Sequence, residues 1–176
     1  MKQQVVYIHG GQSFLQHEAF LERLQTIQIW DLPSSLGKKK WTSDLASKLG
    51  ENFEVFLPEM PNKQNAKYAE WKMWFERHFV YFNDDIILIG CSLGTMFLLR
   101  YLSENDVPFK IKALFIMAPV VQTEGFDDTD CGDFLCDLKN VTSIQDKVTT
   151  LFILHSKDDF LVPYEHSLKL KEVLHF

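Results

Sequence analysis

The chain has 176 residues, 46% of them hydrophobic and 14% aromatic, with a formal net charge of −6. That size and apolar content suit one substantial core in a single domain spanning 1–176, and the acidic balance argues against nucleic acid or an anionic membrane surface as the main partner. Met1-Lys2-Gln3-Gln4 leads straight into Val5-Val6-Tyr7-Ile8 without the features of a signal peptide, and no apolar run approaches the roughly 20 residues that span a bilayer, so a cytoplasmic protein is expected.

Val5-Val6-Tyr7-Ile8 reads as a short strand delivering the turn His9-Gly10-Gly11-Gln12-Ser13. Paired glycines there let the backbone approach a substrate oxygen, which makes Gly11 the candidate N–H donor to an oxyanion and Gln12 the second choice; the glycines equally suit a plain tight exit from the strand. His9 is expected to hydrogen-bond the loop rather than carry protons. Phe20, Leu21, Leu24 and Ile27 recur at helical spacing, which predicts a helix over 17–27 with one face on the sheet. Residues 30–37 form a loop by their Pro and Gly, and Lys38-Lys39-Lys40 is read as a solvated face. A short helix capped by Thr42 or Ser43 runs to Gly50, and Phe53 to Leu57 alternates as a strand ending in a loop, 58–65, at the rim of a cleft. Over 67–82, Trp71, Trp74, Phe75, Phe79 and Phe82 follow steps of three and four, the signature of a helix face buried in a core.

Ile86-Ile87-Leu88-Ile89 then suits a buried parallel strand, and Met96 to Leu102 a largely apolar helix. Gly90-Cys91-Ser92-Leu93-Gly94 joins them. A strand that turns into a helix this quickly strains the middle residue and exposes its side chain at the C-terminal edge of the sheet. Ser92 is therefore the candidate nucleophile, with the N–H of Leu93 as an oxyanion donor; the plainer alternative is that Ser92 only caps the helix.

Ile111 to Pro119 reads as another buried strand, and 120–140, acidic and without period, as either a small lid or a surface excursion. Cys91, Cys131 and Cys136 are an odd, sparse set without histidines at metal spacing, so free thiols are expected and neither metal nor organic cofactor is implied. A short helix is expected over 141–147 and a last strand over 149–155. Asp159 follows that strand within Asp-x-x-Val-Pro, late in the chain, where a carboxylate can orient a catalytic base; Asp158 is its bracing neighbour, and a plain turn before a helix is the alternative. Only His166 and His175 come after Asp159. His166 lies near the start of the helix 164–174, so His175 is the candidate base, although the 16 residues separating it from Asp159 are too few for a helix and a full strand. The alternative is that the base lies past the chain end and the domain is truncated.

These motifs resemble small α/β-hydrolases of the retinoblastoma-binding-protein-9 and YdeN type, predicted serine esterases. The resemblance covers nearly the whole chain and rests on Tyr7-Ile8-His9-Gly10-Gly11, Leu57 to Asn62 with Glu70-Trp71, Gly90 to Gly94, and Asp159 to Pro163. It implies a nucleophile at Ser92, an acid at Asp159 and a compact fold without a large cap. Many members carry histidine in place of Cys91, and members end with a further strand bearing a Gly-His-Phe-like turn where this chain has Leu174-His175-Phe176.

The expected fold is a three-layer α/β domain, about five parallel strands with helices on both faces and the last edge strand missing. The expected activity is hydrolysis of a small ester, thioester or amide through an acyl-enzyme at Ser92, with Asp159 and His175 completing the triad and Gly11 and Leu93 forming the oxyanion hole. The expected partner is a small-molecule acyl substrate, with a homodimer left open. One alternative is an impaired hydrolase fold kept as a binding module. Another is a phosphate-binding turn at Gly90 to Gly94, disfavoured because the Lys-Ser/Thr of a P-loop is missing.

Overall fold

The apolar runs become strands β1 (Gln3–Ile8), β2 (Phe53–Phe56), β3 (Ile86–Cys91), β4 (Ile111–Met117) and β5 (Val148–Leu154), joined in one parallel sheet of order β2-β1-β3-β4-β5. This computed structural model describes residues 2–27, 41–122 and 131–175; the expected 30–37 loop, the Lys38-Lys39-Lys40 run and 123–130 of the candidate lid lie outside them. The register pairs Ile8 with Gly90, Cys91 with Met117, and Met117 with Leu154, so the loops after β1, β3, β4 and β5 leave from one edge. Parallel strands need crossovers, and helices α1 (His17–Thr26), α2 (Leu45–Leu49), α3 (Tyr68–Arg77), α4 (Leu93–Glu104) and α5 (Leu138–Val141) lie in them, while α6 (Glu165–Val173) follows the last strand.

The larger core lies on one face of the sheet, where Val6, Ile8, Leu88, Leu114 and Ile116 meet the aromatic side of α3 and nearly all of α4, with Ile144 and Leu170 closing the far end. Burying this apolar surface is the main term stabilising the sheet. On the opposite face Trp41, in a 3-10 turn ahead of α2, packs edge-on to Tyr7 at 5.4 Å between ring centres.

Several expectations change in detail. The aromatic stripe holds for Trp71 and Phe75, both fully buried, and for Phe79 and Phe82, which pack against the core from a 3-10 turn and beyond it. Trp74 is exposed and lies against His78 instead, because α3 ends at Arg77 and its outer side faces solvent. Helix α1 buries none of its residues: it rides over the C-terminal edge of the sheet rather than on a face, with Phe20 against Phe14. The second helix begins at Leu45, after the 3-10 turn, rather than at a Thr42 or Ser43 cap. Within the candidate lid, 120–140, Phe134 is fully buried against Trp71 at 5.1 Å, so the later part of that excursion is core.

Candidate active site

At the end of β3 the chain turns within one residue. Ser92 has φ 52° and ψ −119°, a conformation that costs a non-glycine residue on the order of 1 to 3 kcal/mol and persists only where its surroundings impose it. Those surroundings are clear. The Ser92 N–H donates to Met117 O at 3.0 Å, and Ser92 O accepts from Thr95 N at 2.8 Å as α4 begins. The Thr95 hydroxyl ties the same turn to Met117 O at 2.9 Å. Gly94 lies directly under the end of β1, where an added Cβ would sit 2.2 Å from Ile8 O. The side chain of Ser92 is thus lifted out of the corner, and among the described residues no side chain hydrogen-bonds its Oγ. The Leu93 N–H, at the first position of α4, is likewise unengaged among them, as the first turn of a helix dictates.

The loop after β1 comes to the same place. A Cβ at Gly10 would lie 3.7 Å from Ser92 Oγ, and one at Gly11 would lie 2.5 Å from Lys63 O, so Gly11 admits no side chain. The second-choice donor, Gln12, is corrected: its N–H is already given to Lys63 O at 2.8 Å, while no described group takes the Gly11 N–H. His9 is structural, as expected. Its Nε2 accepts from Met60 N at 2.9 Å, which leaves Nδ1 to donate to Gly10 O at 2.7 Å. The Met60-Pro61-Asn62 segment is further pinned by Trp71 Nε1 to Pro61 O at 2.7 Å and by Asn62 Nδ2 to Glu70 Oε2 at 3.0 Å. This gives the Met-Pro-Asn and Glu-Trp pairing a physical meaning: it clamps the neighbouring loop to α3.

Asp159 lies on the loop after β5. Its Oδ1 accepts from Leu161 N at 2.9 Å and Val162 N at 3.0 Å, the turn that was its structural alternative, and Oδ2 is left over at 3.6 Å from His155 Nε2. Leu161 and Val162 line a cavity of about 170 Å³ together with Ser92, Leu93, Gly11 and Arg23, so the acidic loop and the serine corner border one space. Asp158 instead accepts from the Ser156 hydroxyl, which holds its carboxyl below the usual carboxylate range. Next to Ser92 in sequence, the Cys91 thiol is pushed up, mainly by burial; a hydrogen bond from Tyr7 opposes this and the Asp159 charge adds to it. A second cavity, about 530 Å³, opens on the other side of Gly10, between Trp41, Leu57 and Lys63.

His175 is not brought to this site. Helix α6 runs back along the sheet, and Leu174 O accepts from Gln145 Nε2 at 2.7 Å, just ahead of the first residue of β5. His175 follows at φ 55°, exposed, at the edge where strands begin, a sheet's length from Ser92. The other late histidine, His166, is buried and accepts from Val121 N through Nδ1 at 3.1 Å.

Two residues at the site escape the sequence pattern. His155 looks like the end of a strand, yet its ring is sealed beneath the acidic loop, with Nε2 donating to Val162 O at 2.9 Å and Nδ1 against the Ser167 hydroxyl at 2.7 Å. His155→Ala would strand a buried hydroxyl and a carbonyl, so urea unfolding should show a loss of roughly 2 to 3 kcal/mol. An unchanged midpoint would mean that the ring does not hold the loop. Arg23 reaches the cavity from α1, where no pattern marks it; a strand-turn-helix motif says nothing about a helix passing over its rim.

Over residues 34–175 the chain matches the model of a family described as serine hydrolase. The structure resembles the ydeN gene product from B. subtilis, with a TM-score of 0.61 and 16% identity over 99% of this chain and 82% of that one. It also resembles an extracellular α/β-hydrolase from a Paenibacillus species that shares structural and functional homology with tobacco salicylic acid binding protein 2; here the TM-score is 0.56 and identity 15%, over 96% of this chain and 86% of the other. No curated protein matches the sequence. Among the described residues, no helix is long and apolar enough to cross a membrane.

Proposed function

Because the chain belongs to the serine hydrolase family, we propose that it cleaves a small ester, thioester or amide through an acyl-enzyme at Ser92. The observation that carries this reading is the lifted Ser92 hydroxyl between two unengaged backbone N–H groups, Leu93 and Gly11, in a cavity also walled by the Asp159 loop. Ser92 Oγ attacks the acyl carbon and gives up its proton to a base, and the two N–H groups take the charge that develops on the carbonyl oxygen. The leaving group departs with a proton, and water then releases the acid and restores the hydroxyl. Asp159 Oδ2, the oxygen not spent on the turn, is the atom suited to orient a histidine and stabilise its protonated form. The proposed substrate is a small acyl compound, and the proposed location is the cytoplasm.

A second reading is favoured by one observation: no described histidine stands against Ser92 Oγ, and His175 lies at the opposite edge. Without a base a serine hydroxyl is a weak nucleophile at neutral pH, and the fold would then serve as a binding module. A fluorophosphonate probe separates the two. The hydrolase reading expects a covalent adduct on the peptide carrying Ser92, absent in Ser92→Ala. Folded wild-type protein that takes up no label, or a Ser92→Ala variant labelled equally, would leave the binding reading standing.

A further inference from the structure

We propose that Arg23 makes this site selective for acyl groups bearing a free carboxylate, such as monoesters of short dicarboxylic acids. The inference rests on the hydrolase reading for the identity of the reacting bond, and on four observations of its own. Arg23 lines the 170 Å³ cavity that holds Ser92, and it is the one charged side chain among the described residues lining it. Its Nε is buried without a hydrogen-bond partner. No ion pair among the described residues involves it. Along α1, the positions three and four residues away on either side are Phe20, Ala19, Thr26 and Ile27, none of them acidic.

A buried donor of this kind loses its water without gaining a partner, a cost that native proteins rarely leave standing away from a functional site. A guanidinium is also the group best shaped to take a carboxylate through two parallel N–H bonds. Met96, Val120, Leu161 and Val162 give the cavity an apolar stretch that suits a short methylene chain, with Gln12 and Cys131 completing the wall. The carbonyl under attack would lie at Ser92, Leu93 and Gly11, the chain would cross the apolar wall, and the distal carboxylate would meet Arg23. The wider 530 Å³ opening beyond Gly10 is left for the leaving group. No covalent step is added: the carboxylate is held, not transformed.

The test is binding to Ser92→Ala protein, which removes the attacking oxygen, followed by ligand-observed NMR titration with monoethyl adipate and with ethyl hexanoate. The acidic ester should bind roughly ten- to hundredfold more tightly than the neutral one, as a charge-assisted hydrogen-bonded pair provides. Added salt should narrow the gap, Arg23→Gln should abolish it, and Arg23→Lys, which keeps the charge but not the fork, should retain part of it. Equal affinities of the two esters, or a preference that survives in folded Arg23→Gln protein, would overturn the assignment. The fluorophosphonate result does not enter: a protein that fails to label but prefers the acidic ester refutes the hydrolase reading and keeps Arg23, and one that labels but binds both esters alike does the reverse.

Discussion

Gly94→Ala should prevent the protein from accumulating as a stable fold. The added methyl carbon would lie 2.2 Å from Ile8 O, 2.6 Å from His9 O and 2.8 Å from Ile8 C, and all three are backbone atoms of the sheet or its exit loop. None can swing aside as a side chain would. In an exposed helix the same change would gain about 1 kcal/mol of propensity. Here overpacking against rigid backbone dominates, costing about 5 kcal/mol or more, because α4 must back away from β1 to admit the group. Thermal unfolding by far-UV circular dichroism checks it. A variant as stable as wild type would show that α4 does not rest on β1 as described, and the account of the Ser92 corner would go with it.

Trp71→Ala should come next in effect. The indole is fully buried, stacks edge-on with Phe97 at 5.8 Å and Phe134 at 5.1 Å, and donates to Pro61 O at 2.7 Å. Truncation leaves a cavity between two aromatic rings and strands a carbonyl, with an expected loss of about 3 to 5 kcal/mol, a large part of the 5 to 15 kcal/mol typical of a domain. Trp71→Phe keeps most of the packing and removes only the hydrogen bond, so it should cost about 1 to 2 kcal/mol. Equilibrium urea unfolding of the two variants separates the terms. Equal losses would mean that the bond to the 58–65 loop, and not the packing, is what matters.

Four strands were legible as apolar runs and β2 by its alternation, each ended by a turn, and the corner because its glycines stand where a helix must pass close to a strand. Asp159 was legible for the same reason: Asp-x-x-Val-Pro is local, and its Oδ1 bonds reach only two and three residues ahead. Trp74 and His175 show where this stops. Both carry the right residue type, but a helix that ends at Arg77 turns one outward, and a helix that runs back along β5 carries the other to the far edge. His155 matters because the acidic loop and α6 fold back over its ring, and Arg23 because of the cavity it borders, and neither relation leaves a spacing to read. The Met60-Pro61-Asn62 and Glu70-Trp71 pair was visible as a pattern without a reason; the hydrogen bonds supply it.

The seat of Gly94 beneath Ile8 and His9 has a consequence for how the molecule assembles. Neither partner is near the other in sequence, so the kink at position 92 has no existence in the isolated segment that spells it. It is created only when the first and third strands align, and the cost of its unusual dihedrals is met by the cooperative closure of the whole sheet. Reactivity at this serine is therefore tied to global order: anything that parts those two strands relaxes the kink as it does so.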